Sequence, residues 1–129
     1  MKLQSVELTN VFQHEHMVVN LKGNLIGVIG PNGSGKSNFL NAIHFAFGGD
    51  VPGKTKDRLL RWGADDGDVE VKFTQGEVPC EITRSVSKNS ATFKYGTVDK
   101  RIGINKVAAG VQDHLGMDKD MLKMVFVKQ

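Results

Sequence analysis

Between Leu25 and Phe47 the chain changes character twice within a short distance. Leu25-Ile26-Gly27-Val28-Ile29 is an apolar run of the length of a buried strand. Gly30-Pro31-Asn32-Gly33-Ser34-Gly35 then forbids any regular element to continue, because glycine at three of six positions favours tight, irregular backbone. Beyond Lys36, Ser37 and Asn38, the residues Phe39, Leu40, Ala42, Ile43, Ala46 and Phe47 recur at helical spacing. A strand that runs through a glycine-rich turn straight into a helix predicts an α/β fold built around that junction.

The junction also carries a chemistry. Gly30 to Ser37 satisfies G-x-x-x-x-G-K-[ST], a pattern that chance would place in a chain of this size about once in a few hundred. Gly30, Gly33 and Gly35 allow the backbone to approach a phosphate with no side chain in the way. The N–H groups of such a turn, with the positive end of the following helix, surround an anion. Lys36 would reach the β- and γ-phosphates of a nucleotide, and the Ser37 hydroxyl would ligate Mg²⁺. The plain alternative is an ordinary glycine-rich turn before a helix. It leaves the coincidence of strand, loop, lysine, hydroxyl and helix without a reason.

The 129 residues suffice for one modest domain, and 40% hydrophobic with 24% charged residues is the balance of a water-soluble globular chain. A net charge of +3 is compatible with an acidic partner. The single cysteine, Cys80, forbids an internal disulfide and points to a reducing, intracellular setting, in cytoplasm, nucleoid or nucleus. No apolar run reaches the length of a membrane span, so no membrane partner is expected.

Residues 2–9 read as a strand with imperfect alternation, Asn10 to His16 as a turn, and Met17 to Leu21 as a second strand. The helix after the glycine-rich loop should stop near Gly48-Gly49. Residues 50–62 read as a loop in which Leu59, Leu60 and Trp62 anchor the chain, followed by an acidic turn from Gly63 to Asp68. Here the period becomes two. Val69, Val71 and Phe73 alternate with polar residues, then Val78, Cys80 and Ile82, a series broken by Arg84 before Val86. With Gln75-Gly76-Glu77 as the turn, these predict half-buried antiparallel strands. Thr92–Thr97 and Arg101–Ile104 are two more, and Val107, Ala108, Val111, His114 and Leu115 predict a helix stopped by Gly116. Asp118 could cap a last helix with Met121, Leu122 and Val125.

Other candidate sites are weaker. His14 and His16 share one face of an extended segment but lack further metal ligands nearby in sequence. His44 and Cys80 read as packing residues. Asp50-Val51-Pro52-Gly53 and Asn105-Lys106-Val107-Ala108 imitate guanine-nucleotide motifs, but the first follows a helix and the second has Ala108 where a carboxylate is needed. Two basic groups could attract a phosphate backbone: Lys54, Lys56, Arg58 and Arg61, and then Lys88, Lys94, Lys100, Arg101 and Lys106, with Phe93 and Tyr95 among them. A solvated strand face would look the same. After the glycine-rich loop no apolar strand ends in an acidic residue, so the sequence offers a nucleotide-binding loop without a hydrolytic carboxylate.

The order of these features is familiar. Met1-Lys2-Leu3-Gln4-Ser5-Val6-Glu7-Leu8-Thr9-Asn10-Val11-Phe12, then Gly30 to Asn38, Ala42-Ile43, the Arg58-to-Gly63 loop, the antiparallel strands and Val125-Phe126-Val127-Lys128-Gln129 resemble the N-terminal ATPase lobe of the SMC, RecF and SbcC group. These are ABC-type ATPases of DNA repair and chromosome organisation. The spacing after the first strand is most similar to SbcC, and Ser37-Asn38 to SMC. The resemblance implies an ABC-type P-loop fold: a mixed sheet around the P-loop helix over residues 2–49, a basic loop and antiparallel β subdomain over 50–104, and a helical segment ending in the Q-loop over 105–129, all one lobe. It implies that Asn32, Gly33, Ser34, Gly35, Lys36, Ser37 and Asn38 hold the phosphates of ATP and its Mg²⁺. Gln129 would be the Q-loop glutamine, touching Mg²⁺ and the attacking water. Gln13, where SbcC-type proteins commonly carry arginine or lysine, would lie near the base or ribose with Phe12 and His14. The catalytic carboxylates would belong to a C-terminal lobe of the same protein. Two heads would pair over ATP, double-stranded DNA would lie across them, and a nuclease subunit could read the closure. The rival expectations are a DNA-binding or assembly module without turnover and a small P-loop kinase or GTPase.

Overall fold

The computed structural model describes residues 2–11, 14–20, 42–48, 60–61, 63–88 and 90–116. In that set the period-two stretches become six strands: β1 (Lys2–Val11), β2 (His14–Asn20), β3 (Asp68–Gln75), β4 (Val78–Ser85), β5 (Ala91–Tyr95) and β6 (Asp99–Ile102). They form one sheet in the order β2-β1-β3-β4-β5-β6, antiparallel at every described pairing. Residues 42–46 are helical (α1), and Ile104–Gly110 is a second helix (α2), continued by one π-helical turn, Val111–Leu115.

The sheet is wetted on one face and covered on the other, which is what its alternation demands. Val69, Val71 and Phe73 of β3, Cys80 and Ile82 of β4, and Ala91 and Phe93 of β5 point into the core with the buried residues of α1 and with Val107 and Val111. Rings link the two helical segments beneath the sheet. Phe47 lies 5.2 Å from Phe73, Phe73 lies 6.4 Å from Phe93, and Phe93 lies 6.1 Å from His114, which stacks on Tyr95 at 4.0 Å.

The antiparallel strands and the helix stopped at Gly116 agree with the sequence reading. Three details differ. First, β1 carries a bulge between Leu3 and Ser5. Simple alternation puts Leu3 on the face opposite Val6 and Leu8. The extra residue, Gln4, flips the phase, and all three are buried. Second, the expected turn from Asn10 to His16 is much shorter, because β1 runs to Val11 and β2 starts at His14, opposite Val11. Third, β5 and β6 lie one to two residues earlier than expected, at Ala91–Tyr95 and Asp99–Ile102.

Candidate functional site

Gly30 to Asn38, Gln13 and Gln129 all lie outside the described residues, as do Lys54, Lys56, Arg58, Asp50 to Gly53 and the segment expected to begin at Asp118. The structure does describe α1 and the two residues after it, residues 42–48, which follow the glycine-rich loop in the chain.

This segment is enclosed on every side. Ala42, Ile43, His44, Phe45, Ala46 and Phe47 are each no more than 2% exposed. The helical stripe in the sequence included Ala42, Ile43, Ala46 and Phe47 and left out Phe45. A helix apolar or covered all round belongs to an interior. His44 is among the buried residues, in keeping with a packing role. The helix stops where glycine was expected to stop it. Phe47 N–H donates to the Ile43 carbonyl at 3.2 Å, and Gly48 N–H donates to the Phe45 carbonyl at 3.0 Å. Gly48 has φ 101°, a backbone angle that a side chain would make costly.

Phe45 is covered by the residue that broke the apolar series of β4. Arg84 shares a face with Cys80 and Ile82, and its register partners are Val69 and Ala91. Its Nη1 donates to the Phe45 carbonyl at 2.9 Å. Its guanidinium carbon lies 4.0 Å from the centroid of the Phe45 ring. One residue thus gives an acceptor and a π-face to the same cation. The cation sits at the negative end of the helix, where the Phe45 carbonyl has only the tighter turn bond from Gly48 N–H besides it.

A second fixed point lies at the end of β1, just before Phe12, Gln13 and His14. Arg61 N–H donates to the Asn10 carbonyl at 2.9 Å, Val11 forms an isolated bridge with Leu60, and Asn10 Nδ2 donates to the Asp66 carbonyl at 3.3 Å. Leu60 packs against the core, as its anchoring role predicted. Gly67 runs so close to β1 that a Cβ there would stand 2.5 Å from the Thr9 carbonyl oxygen. The Asp66 carboxylate accepts from the Ser85 hydroxyl at 2.8 Å and the Ser87 N–H at 2.8 Å. Burial pushes this carboxyl up, but the hydrogen bonds from Ser87, Ser85 and Gly67, with the Lys88 charge, outweigh it and leave it below the ordinary range.

The basic residues divide once they are placed. Lys88, Lys94, Lys100 and Lys106 are exposed, and Lys94 stands directly opposite Lys100 across β5 and β6. Lys72, which the sequence grouping left out, joins them on the wetted face through the row Lys72, Glu81, Lys94, Lys100. Arg101 leaves the group, because it pairs with Asp99 at 2.9 Å and Asp113 at 3.3 Å. The interleaved aromatics are corrected too. Phe93 is fully buried, and one face of Tyr95 is taken by His114. His16 Nε2 lies 2.7 Å from Glu7. Among the described residues no three His, Cys, Asp or Glu side chains are grouped to hold a metal ion.

The fold is a P-loop fold of the ABC ATPase type, an assignment carried by comparison with known proteins. A solved structure of the recombination mediator protein RecF with ATPrS matches 78% of this chain and 25% of its own at a TM-score of 0.50, with 17% identity, a likeness of fold alone. A family model described as an AAA domain (AAA_23) matches residues 5–129, so the chain belongs to that family. Among curated proteins it is similar to the DNA double-strand break repair Rad50 ATPase of Saccharolobus solfataricus, 28% identical over 134 residues. The match covers 100% of this chain and 15% of the relative. The Rad50 ATPase of Pyrococcus abyssi is 33% identical over 99 residues, covering 73% of this chain and 11% of the relative. The chain therefore spans only a small part of the length of these repair ATPases, and it is similar to them within the group that the Gly30–Asn38 motif and the flanking strands resemble.

Proposed function

We propose that this chain is the N-terminal ATP-binding lobe of a DNA-repair ATPase of the SMC, RecF and SbcC group. The observation that carries the reading is the complete Gly30–Ser37 motif, placed just ahead of a helix turn buried against an antiparallel sheet, in a chain that matches a Rad50 ATPase along its whole length. The donor set fits a nucleotide polyphosphate and Mg²⁺. Three glycines free the backbone N–H groups, Lys36 supplies a point charge for the β- and γ-phosphates, and Ser37 supplies a hydroxyl oxygen for a hard cation. Asn32, Gly33, Ser34, Gly35 and Asn38 complete the phosphate cradle. Gln129 serves as the second protein ligand toward Mg²⁺ and as the group that orients water. Gln13, two positions after Val11 at the fixed end of β1, lies at the base or ribose.

Bound Mg-ATP would supply the phosphoanhydride that is cleaved. The chain's own part is to bind and orient it, because no acidic residue follows an apolar strand after the motif. The carboxylates for hydrolysis come from a C-terminal lobe, and a second head pairs with this one over ATP. Double-stranded DNA is the partner of the wetted sheet face, where Lys94 and Lys100 stand opposite each other and Lys72 ends the same row beyond Glu81, and a nuclease subunit reads the closure of the heads. The residues of 2–49, 50–104 and 105–129 act as one intracellular lobe. Lys36→Ala tests the reading: in an equilibrium titration the variant should lose Mg-ATP binding by a hundredfold or about that, since the cradle loses its one cation toward the β- and γ-phosphates. A variant that binds as tightly as the parent would overturn the assignment.

A further inference from the structure

We infer that Arg84 is a positioning residue of the nucleotide site: from β4 it fixes the turn around Phe45, which follows Lys36 and Ser37 closely in the chain. The inference rests on the ATP-binding reading above and adds to it a residue that no motif contains.

The argument begins with a misfit. Arg84 occupies a position where the alternation of β4 calls for an apolar side chain, between Ile82 and the buried Val86. A cation on the covered face of a sheet loses hydration, and an apolar residue of similar size would fill the space at less cost. What an apolar residue could not supply is direction. The guanidinium is planar and carries donors in a fixed fork, so its hydrogen bond to the Phe45 carbonyl at 2.9 Å and its 4.0 Å approach to the Phe45 ring together fix both the distance and the rotation of that turn. The same carbonyl accepts from Gly48 N–H, so the helix is stopped and held at one atom.

The lever is short. Phe45 comes only eight positions after Ser37 in the chain. The turn around Phe45 is packed on all sides, so a shift there cannot be absorbed locally. A phosphate cradle made of backbone N–H groups depends on placement to a fraction of an ångström. β4 is a central strand with β3 and β5 on either side. Arg84 therefore ties the helix to the most restrained part of the sheet. Phe47 at 5.2 Å from Phe73 ties the same turn to β3.

The test uses the whole chain and reads two quantities, the Kd for Mg-ATP and the nucleotide-free amide exchange of residues 42–48. Arg84→Met keeps length and removes the donors. It should weaken Mg-ATP binding about tenfold and speed exchange in 42–48. Arg84→Lys restores one donor and the charge, and should recover most of the affinity. Ile82→Val, which lowers stability from the same strand without altering the Phe45 hydrogen bond, should leave the Kd unchanged. Should Arg84→Met not fold, Arg84→Gln takes its place: it stays polar but is too short and uncharged to hold the Phe45 carbonyl and ring together, so the same tenfold loss is expected. A Kd unchanged in both arginine variants overturns the inference, as does Ile82→Val weakening binding as much as the arginine variants do. A parent chain that fails to bind Mg-ATP overturns the nucleotide reading and this inference together. A parent that binds, with Arg84→Met binding equally well, overturns this inference alone.

Discussion

Two helical segments are fastened to the same sheet by opposite means. At α1 the fastening is interior. The Phe45 carbonyl and ring meet Arg84, Phe47 meets Phe73, and every side chain of residues 42–47 is out of water. At the other end, α2 and its π-helical turn are held at the surface. Asp99 receives Arg101 at 2.9 Å and His114 Nε2 at 2.8 Å, and Arg101 reaches on to Asp113 at 3.3 Å. Side-chain exposures of 22–26% for His114, Asp99 and Arg101, and 59% for Asp113, put this network in contact with solvent. A buried contact keeps its strength when salt or acid is added, whereas an exposed ionic one does not. The difference suits the proposed roles. The segment behind a phosphate cradle has to hold still, and the segment leading toward Gln129 is fixed by contacts that can be exchanged.

The comparison can be broken hardest at Phe45. Phe45→Ala removes a fully buried ring and the surface on which Arg84 rests, and should cost about 3–5 kcal/mol in a denaturant melt. A loss below about 1 kcal/mol would mean that the interior fastening does not hold the helix.

The surface network should respond to conditions that leave α1 alone. At 1 M salt the screening length falls to about 3 Å. Amide exchange should then quicken several-fold in residues 104–115 and stay constant in 42–48, and Arg101→Gln should do the same at low salt. Acid acts in the same direction. The hydrogen bond from His114, partly opposed by desolvation and reinforced by Arg101, holds the Asp99 carboxyl below the ordinary range. A lowered folded value means a contribution complete above the ordinary aspartate value of about 3.9 and lost as pH falls through the lower folded one. Exchange in 104–115 that is flat down to pH 2 would contradict the ionic account.

The smallest effect sharpens the acid experiment by removing an opposing signal. Glu70 lies on the wetted face beside Glu81 and Glu7, with Lys72 at 3.8 Å. Burial, the hydrogen bond with Glu81 and the repulsion of Glu81 push its carboxyl up. Its stabilising neutral form is therefore complete below the ordinary glutamate value and lost as pH rises through the raised folded one. Glu70→Gln stays neutral, so its Tm should exceed the parent's slightly at pH 7 and match it near pH 3. A Tm lowered at pH 7 would show that the charged form is the stabilising one.

Much of this architecture was legible in the chain. The β3–β4 hairpin announced itself through strict alternation around Gln75-Gly76-Glu77, and Gly48 and Gly116 stopped helices where local backbone rules required it. The imperfect alternation of residues 2–9 has its cause in a bulge after Leu3, which shifts phase without leaving a mark in composition. Phe45 fell outside the helical stripe because the stripe counts one covered face, and its cover comes from a strand 39 positions away. Arg84 showed in the sequence only as an interruption. Its meaning needed the partner. In the same way Arg101 looked like one more free cation until β6 and the π-helical turn brought it to two carboxylates.

Taken alone, the sequence carries the chemistry proposed for Gly30 to Ser37, because a phosphate cradle is made by consecutive residues whose types and spacing are fixed locally. It determined the wetted and covered faces of β3 and β4 for the same reason, since a strand's period is a property of its own backbone. Only the tertiary structure decided which charges are spent inside the fold and which remain for a partner. Pairing depends on distances between segments that the chain order does not set. Arg84 is the sharpest case. It is a break in a pattern when read along β4, and it is the group that holds the helix behind the glycine-rich loop once β4 lies beside Phe45.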